Sequence, residues 1–213
     1  SRTVARPEFR ELAEFAFFDY EMNYGVKGDS ALKRTSILNY DLRYEIYPKA
    51  GEAITFGAFY KEFTDPIEFR LDPGSNADTR RYFYQNALSA KTLGFEIELR
   101  KGLEFISPAL KPLSLFGNYT YLRSEVVFND LSADSKTIKA DRPLQGQSPY
   151  LINAGLQYTS DMFNASVLYN RVGQRLTLVG NEEFPNVYER PRNQVDIQLS
   201  KKVLDGQGEI RIN

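Results

Sequence analysis

Residues 36–46 read Ser-Ile-Leu-Asn-Tyr-Asp-Leu-Arg-Tyr-Glu-Ile, and this stretch decides the fold. The even positions Leu38, Tyr40, Leu42, Tyr44 and Ile46 are apolar or aromatic, whereas Asn39, Asp41, Arg43 and Glu45 between them are polar or charged. A period of two sends these sets to opposite sides of an extended chain. On a helix, Asp41 and Arg43 would land among the apolar residues. The stretch is a two-faced β-strand.

The same alternation recurs along the chain. Ile54, Phe56, Ala58 and Tyr60 alternate with Thr55, Gly57, Phe59 and Lys61; Leu93, Phe95, Ile97 and Leu99 alternate with Gly94, Glu96, Glu98 and Arg100. Leu113 to Tyr121, Leu151 to Tyr158, Phe163 to Asn170 and Gln194 to Ser200 repeat the pattern, and Glu209-Ile-Arg-Ile212 begins a last strand. With residues 1–5 as the tail of another, about nine strands are expected in one antiparallel meander of an all-β protein. Residues 7–18 have only mild helical character.

The connections alternate in length. Short links follow Tyr47, Tyr158 and Lys202, and a somewhat longer one runs from Lys101 to Pro112. Long polar connections, expected to be extracellular loops, cover about residues 7–33, 64–90, 124–148 and 173–192. Compact domains avoid structureless loops of this length. Outer-membrane barrels require the asymmetry, with tight turns on one rim and long loops on the other.

Composition narrows the alternatives. The 213 residues include no Cys and no His, which removes disulfide frameworks and the usual imidazole base and zinc ligand, so an enzyme would have to rely on carboxylates, Lys or Tyr. A net charge of -1 gives no argument for a nucleic-acid partner, and no residue pattern calls for a cofactor. No apolar run approaches the roughly 20 residues of a membrane helix. Tyr closes apolar rows at Tyr44, Tyr60, Tyr121, Tyr158 and Tyr169, where an amphipathic ring suits a bilayer interface. These features predict lipid-facing positions at Leu38, Tyr40, Leu42, Tyr44, Ile54, Phe56, Phe95, Ile97, Leu156, Val167 and Ile197. The other side, with Asp41, Arg43, Glu45, Lys61, Glu96, Glu98 and Arg100, reads as a polar lumen. An open sheet edge is not allowed in hydrocarbon, so the whole chain, residues 1–213, is expected to be a partial barrel domain, its wall completed by residues outside it. The competing readings are a small self-contained outer-membrane barrel with an adhesive or structural role, and a soluble carbohydrate-binding β-sandwich.

Five motifs in order carry a resemblance over essentially the whole chain. They are Ser1-Arg-Thr-Val-Ala-Arg-Pro-Glu-Phe-Arg-Glu-Leu-Ala13, Asn39-Tyr-Asp-Leu-Arg-Tyr-Glu45, Ala58-Phe-Tyr-Lys-Glu-Phe63 with Asp65-Pro-Ile-Glu68, Leu93-Gly-Phe-Glu-Ile-Glu-Leu-Arg100, and Arg142-Pro-Leu-Gln-Gly-Gln-Ser-Pro-Tyr150. Together they resemble the second half of the barrel in TonB-dependent outer-membrane receptors, in the version common in Bacteroidetes-type bacteria. The resemblance implies a barrel of about 22 strands in the bacterial outer membrane, closed by a plug through which the TonB complex drives import of a scarce hydrophilic ligand. The ligand would be of the siderophore, cobalamin or glycan class. The plug and the usual final strand have no counterpart in these residues.

Several local clusters admit a functional reading. Arg6, Glu8 and Arg10, with Glu11, crowd one loop start and could form a ligand-contacting apex, although an exposed ion-pair cluster contributes little by itself. Glu182, Glu183, Phe184 and Tyr188 offer an acidic and aromatic contact to a ligand, against ordinary loop packing. Glu96 and Glu98 could be paired carboxylates, but with Arg100 next in the row they read as a charge ladder. Asp72, Asn76 and Asp78 lack the spacing of a calcium loop. Residues 142–150, with Pro143, Gly146 and Pro149, read as a structural re-entry that fixes register.

Overall fold

In chain order the strands are β1 (Arg2–Ala5), β2 (Ala16–Asp19), β3 (Tyr24–Lys27), β4 (Thr35–Ile46), β5 (Ala53–Thr64), β6 (Ile67–Leu71), β7 (Arg81–Asn86) and β8 (Ser89–Gly102). There follow β9 (Leu113–Asn129), β10 (Thr137–Ala140), β11 (Tyr150–Thr159), β12 (Phe163–Val172), β13 (Arg175–Leu178), β14 (Val187–Glu189), β15 (Arg192–Val203) and β16 (Gly208–Ile212). A single helical turn, α1 (Phe9–Leu12), precedes β2. This computed structural model describes residues 1–21, 23–72, 80–129, 137–140, 142–180, 184–204 and 207–213, without the side chains of 129 and 137–140.

Nine strands make one antiparallel wall in the order β1-β4-β5-β8-β9-β11-β12-β15-β16, with β10 paired to the outer end of β9. Successive wall strands are neighbours, as a meander requires. The sheet does not close on itself. Tyr44 stands opposite Phe56 and Arg43 opposite Gly57, so the hairpin through Pro48 keeps residues of equal parity on one face. Gly51 supplies the left-handed residue of that turn, at φ 82°. At the same rim Lys49 donates to Glu104 at 2.7 Å, tying this turn to the next.

The register sets the strand tilt. One row of directly paired residues runs Ile46-Ile54-Leu99-Gly117-Ala154-Tyr169-Val195 across six strand steps. It starts at the last residue of β4 and reaches β15 eight residues before that strand ends at Val203. A drift of about 26 Å along the strands over about 29 Å across them corresponds to a tilt of about 40°. Outer-membrane barrels tilt by about that amount.

Two glycines hold aromatic rings on the polar face. A Cβ at Gly94 would lie 2.3 Å from Cζ of Phe59, and one at Gly155 2.4 Å from Cζ of Phe116. Each ring belongs to the residue directly opposite the glycine on the neighbouring strand. Phe59 and Phe116 therefore lie flat over the pleat.

The intervals expected as long loops contain strands of their own. β2, β3, β7 and β6 form a separate four-stranded sheet in that order, with β3 and β7 parallel. The alternation in 67–71 and 81–86 is too short to stand out locally, and a parallel pair between residues 25–27 and 81–83 leaves no local sequence trace. The wall strands also run further than expected. β8 starts at Ser89, and β9 continues to Asn129.

Candidate functional site

The two faces of the wall differ in charge. Asp41, Arg43, Glu45, Lys61, Glu96, Glu98 and Arg100 share one face, and so do Leu38, Tyr40, Leu42, Tyr44, Ile54, Phe56, Phe95, Ile97, Leu156, Val167 and Ile197 on the other. On the apolar face, the charges of the described wall residues fall near strand ends: Lys101 and Lys201 by the short turns, and Arg2, Glu62, Lys91, Arg123, Glu125 and Arg171 toward the long connections. On β8, Lys91 and Lys101 bracket Leu93, Phe95, Ile97 and Leu99. Ten residues at about 3.3 Å each, tilted by about 40°, give an uncharged band about 25 Å tall. No described element covers it: Leu42 is 74% exposed and Leu93 62%. Folding that leaves so large an apolar surface bare requires an apolar neighbour.

The opposite face is a polar network. Arg43 bonds Glu45, which also accepts from the Tyr47 hydroxyl, and Arg43 reaches Glu98 at 3.8 Å. Asn153 donates to Asn118 at 2.6 Å and accepts from Asn170, giving an amide ladder across β9, β11 and β12. Glu96 and Glu98 lie in this wall of mixed charge on two successive cross-strand rows. Glu98 has its contact with Arg43, so the pair forms part of a charge ladder.

Above this face sits the four-stranded sheet, held by a lock from residues 142–147. Arg142 makes two hydrogen bonds to Glu68, at 2.8 and 2.9 Å, with both side chains shielded from solvent. Gln145 accepts from the Phe69 amide and donates to the carbonyls of Phe69 and Thr177, thereby clamping β6 to β13. Gly146, at φ 80°, donates its amide to the Leu176 carbonyl. Leu144 packs with Ala90 and Val126 of the wall and with Ala87 just before β8. The motif expected to pin register thus ties three loop segments to the wall.

The same sheet carries an aromatic cluster. Tyr24 and Tyr82 ring centroids are 4.7 Å apart, Phe69 stacks on Tyr82 at 5.2 Å, and Tyr84 lies 4.8 Å from Phe69. Burial, reinforced by the nearby Asp19 carboxylate, raises the Tyr24 phenol to about 12. A groove of about 460 Å³ beside the cluster is lined by Glu14, Lys27, Asp29, Asp72, Arg81 and Phe83 among others. No described group of acidic residues has the arrangement of a metal site.

The candidate contact residues divide among these parts. Arg10 lies 4.8 Å over the Phe17 ring, and Phe17 packs on the aromatic cluster. Glu8 caps α1 together with Glu11. Phe184 also packs on the cluster, with Arg80 5.4 Å above its ring. Arg6 is exposed, and Tyr188 stands on β14 opposite Leu176. Arg10 and Phe184 are therefore brought to one aromatic cluster from connections far apart in sequence. Glu182 and Glu183, like Asn76 and Asp78, lie outside the described residues. Sequence reasoning missed Tyr24, Phe69, Tyr82 and Tyr84 as a cluster, because only the parallel β3–β7 pairing brings them together.

Comparison with known proteins agrees with this architecture. A family model described as TonB dependent receptor-like, beta-barrel, matches residues 1–211. No match is found among curated protein sequences. Among solved structures, a mutant of the ferric enterobactin receptor PfeA from Pseudomonas aeruginosa superposes with a TM-score of 0.56 at 15% identity, covering 95% of this chain and 30% of that one. The siderophore receptor PirA from the same organism gives 0.59 at 14% identity, covering 95% and 32%. The copper transporter OprC gives 0.61 at 14% identity, covering 95% and 28%. The chain thus spans about a third of the length of these structures, and likeness at such identities concerns the fold. The match is to the family as a whole and does not single out the Bacteroidetes version. With its open antiparallel wall, its uncharged outer band and the family match over nearly its full length, the chain belongs to the TonB-dependent receptor β-barrel family of the bacterial outer membrane.

Proposed function

We propose that this chain supplies barrel wall and ligand-capturing loops to a receptor that imports a scarce hydrophilic ligand across the outer membrane, driven by the TonB complex acting through a plug outside these residues. The observation that carries the reading is the contrast between the two faces. The uncharged band meets outer-membrane lipid, and the Arg43–Glu45–Glu98 network and the amide ladder line an aqueous interior. Longer connections are extracellular, and the locked four-stranded sheet forms part of the capture surface. Arg10 and Phe184, on either flank of the aromatic cluster, are the contact residues best placed for this role, with Arg6, Glu8 and Tyr188 on neighbouring segments; Glu182 and Glu183 directly precede Phe184 in sequence. The protein works as a carrier and performs no chemistry on its cargo. Its ligand is of the siderophore, cobalamin or glycan class. The solved neighbours named for ferric enterobactin, siderophore and copper support the metal-carrying end of that range.

Uptake by cells expressing the full-length protein tests this directly, using a panel of labelled ferric chelates, cyanocobalamin and oligosaccharides. One class should accumulate only when TonB is present and the inner membrane is energised. Accumulation that survives collapse of the proton gradient, or no accumulation of any class, would remove the reading.

A further inference from the structure

On the membrane-facing side of the wall, Arg171 is a cation with no carboxylate partner among the described residues. Arg171 stands on β12 opposite Ile152 and Asn193, close to the upper end of the uncharged band. Its Nε and Nη2 donate to the Tyr150 hydroxyl at 3.3 and 3.2 Å, and its Nη1 donates to Oδ1 of Asn193 at 2.9 Å. Tyr169 donates to the same Asn193 oxygen at 2.8 Å. The guanidinium also lies 5.8 Å from the Tyr150 ring centroid. Every described partner is neutral, and no carboxylate pairs with Arg171 among the described residues. The contacts fix the plane of the side chain and use three of its five N–H groups.

Two lysines on this face stand beside carboxylates: Lys101 pairs with Glu52 at 2.7 Å, and Lys91 is directly opposite both Glu62 and Glu125. Arg171 is held by three hydrogen bonds to neutral groups at the height where a bilayer passes from hydrocarbon to headgroups. A cation there is costly unless a counter-charge meets it, and lipid phosphate is the anion that the interface offers.

We propose that Arg171, oriented by Tyr150 and Asn193, binds the phosphate of a lipid headgroup in the outer leaflet. This rests on the reading of the uncharged face as lipid-facing. The phosphate approaches the two remaining N–H groups from the bilayer side, while the Tyr150 and Tyr169 rings bracket the first part of the lipid body.

The test is native mass spectrometry of the full-length protein in non-ionic detergent, titrated with bis-phosphorylated lipid A, with its dephosphorylated form, and with inorganic phosphate. Wild type should bind the phosphorylated lipid in preference to the other two probes. Arg171→Gln should lose about tenfold in affinity for it, about the strength of one charge-assisted contact. Arg171→Lys should keep the phosphate preference at reduced affinity. All variants should retain the heat-dependent gel mobility of an assembled barrel, so a folding failure is separable from loss of a site. Equal binding by wild type and Arg171→Gln overturns the proposal, as does indifference to the lipid phosphates. Binding of inorganic phosphate as tight as that of the lipid would reduce the site to an adventitious ion only and overturn it as well. A protein that fails to assemble in detergent or bilayer would instead remove the membrane reading beneath it.

Discussion

Removing the Glu68 carboxylate should unlock the loop sheet without dismantling the wall. In Glu68→Ala the Arg142 guanidinium stays in a pocket where its side chain is 9% exposed, and two hydrogen bonds are lost. Arg70 compounds the cost, because Arg70 and Arg142 both lie over the Phe128 ring, at 4.2 and 5.9 Å. Stranding a buried charge in this way costs about 3–5 kcal/mol. At about 1.4 kcal/mol per decade, local opening should become about two to four decades more frequent. The assay is amide hydrogen exchange in the full-length protein, following Phe69, Leu71 and Gly146, whose N–H groups are held by Gln145, Val179 and Leu176. Amides of the central wall strands serve as the internal control. The pair Glu68→Leu with Arg142→Met replaces the ions by apolar groups of similar volume and should exchange within about tenfold of wild type. Wild-type exchange in Glu68→Ala, or a double variant as open as the single one, would refute the lock.

Other expectations follow from the wall and the loop sheet. Ile97→Arg, in the middle of the uncharged band, should cost about 2–4 kcal/mol and lower the yield of heat-resistant barrel. By contrast, Glu98→Ala on the opposite face, with its one long contact to Arg43, should change stability by less than about 1 kcal/mol. A Cβ at Gly155 has side-chain atoms of Phe116 and the terminal methyl of Leu168 as its three nearest neighbours, so adding Phe116→Ala to Gly155→Ala should restore assembly. Gly94→Ala meets the Tyr121 carbonyl at 2.5 Å and should not be rescued by Phe59→Ala in the same gel assay. Tyr24 loses its proton later in the folded protein than in the unfolded chain. Its contribution to loop-sheet stability is therefore complete below about pH 10 and declines as pH rises toward about 12. Tyr24→Phe should flatten the fall in exchange protection over that window, and an unchanged slope would contradict the burial argument.

The sequence by itself determined the wall. Alternation from Ser36 to Ile46 and in six further segments assigned each side chain to a face, because strand periodicity is local and a one-residue slip would turn every charge into the apolar band. Unequal connections then separated the two rims. What the sequence left open was decided by contacts between residues distant along the chain. The expected loop at 64–90 holds β6 and β7, and β7 adds in parallel to β3 from the first connection. Residues 142–150 were legible as a constrained re-entry, but Glu68, the partner of Arg142, lies 74 residues away, and nothing local singles out that carboxylate from its neighbours. Arg171 likewise stands at the end of a strand, with nothing in its local sequence to single it out. Only the folded arrangement sets neutral Tyr150, Tyr169 and Asn193 around it, with no carboxylate beside it among the described residues. Strand faces follow from the covalent geometry of the backbone, whereas locks and unpaired charges depend on which surfaces the folded chain brings together.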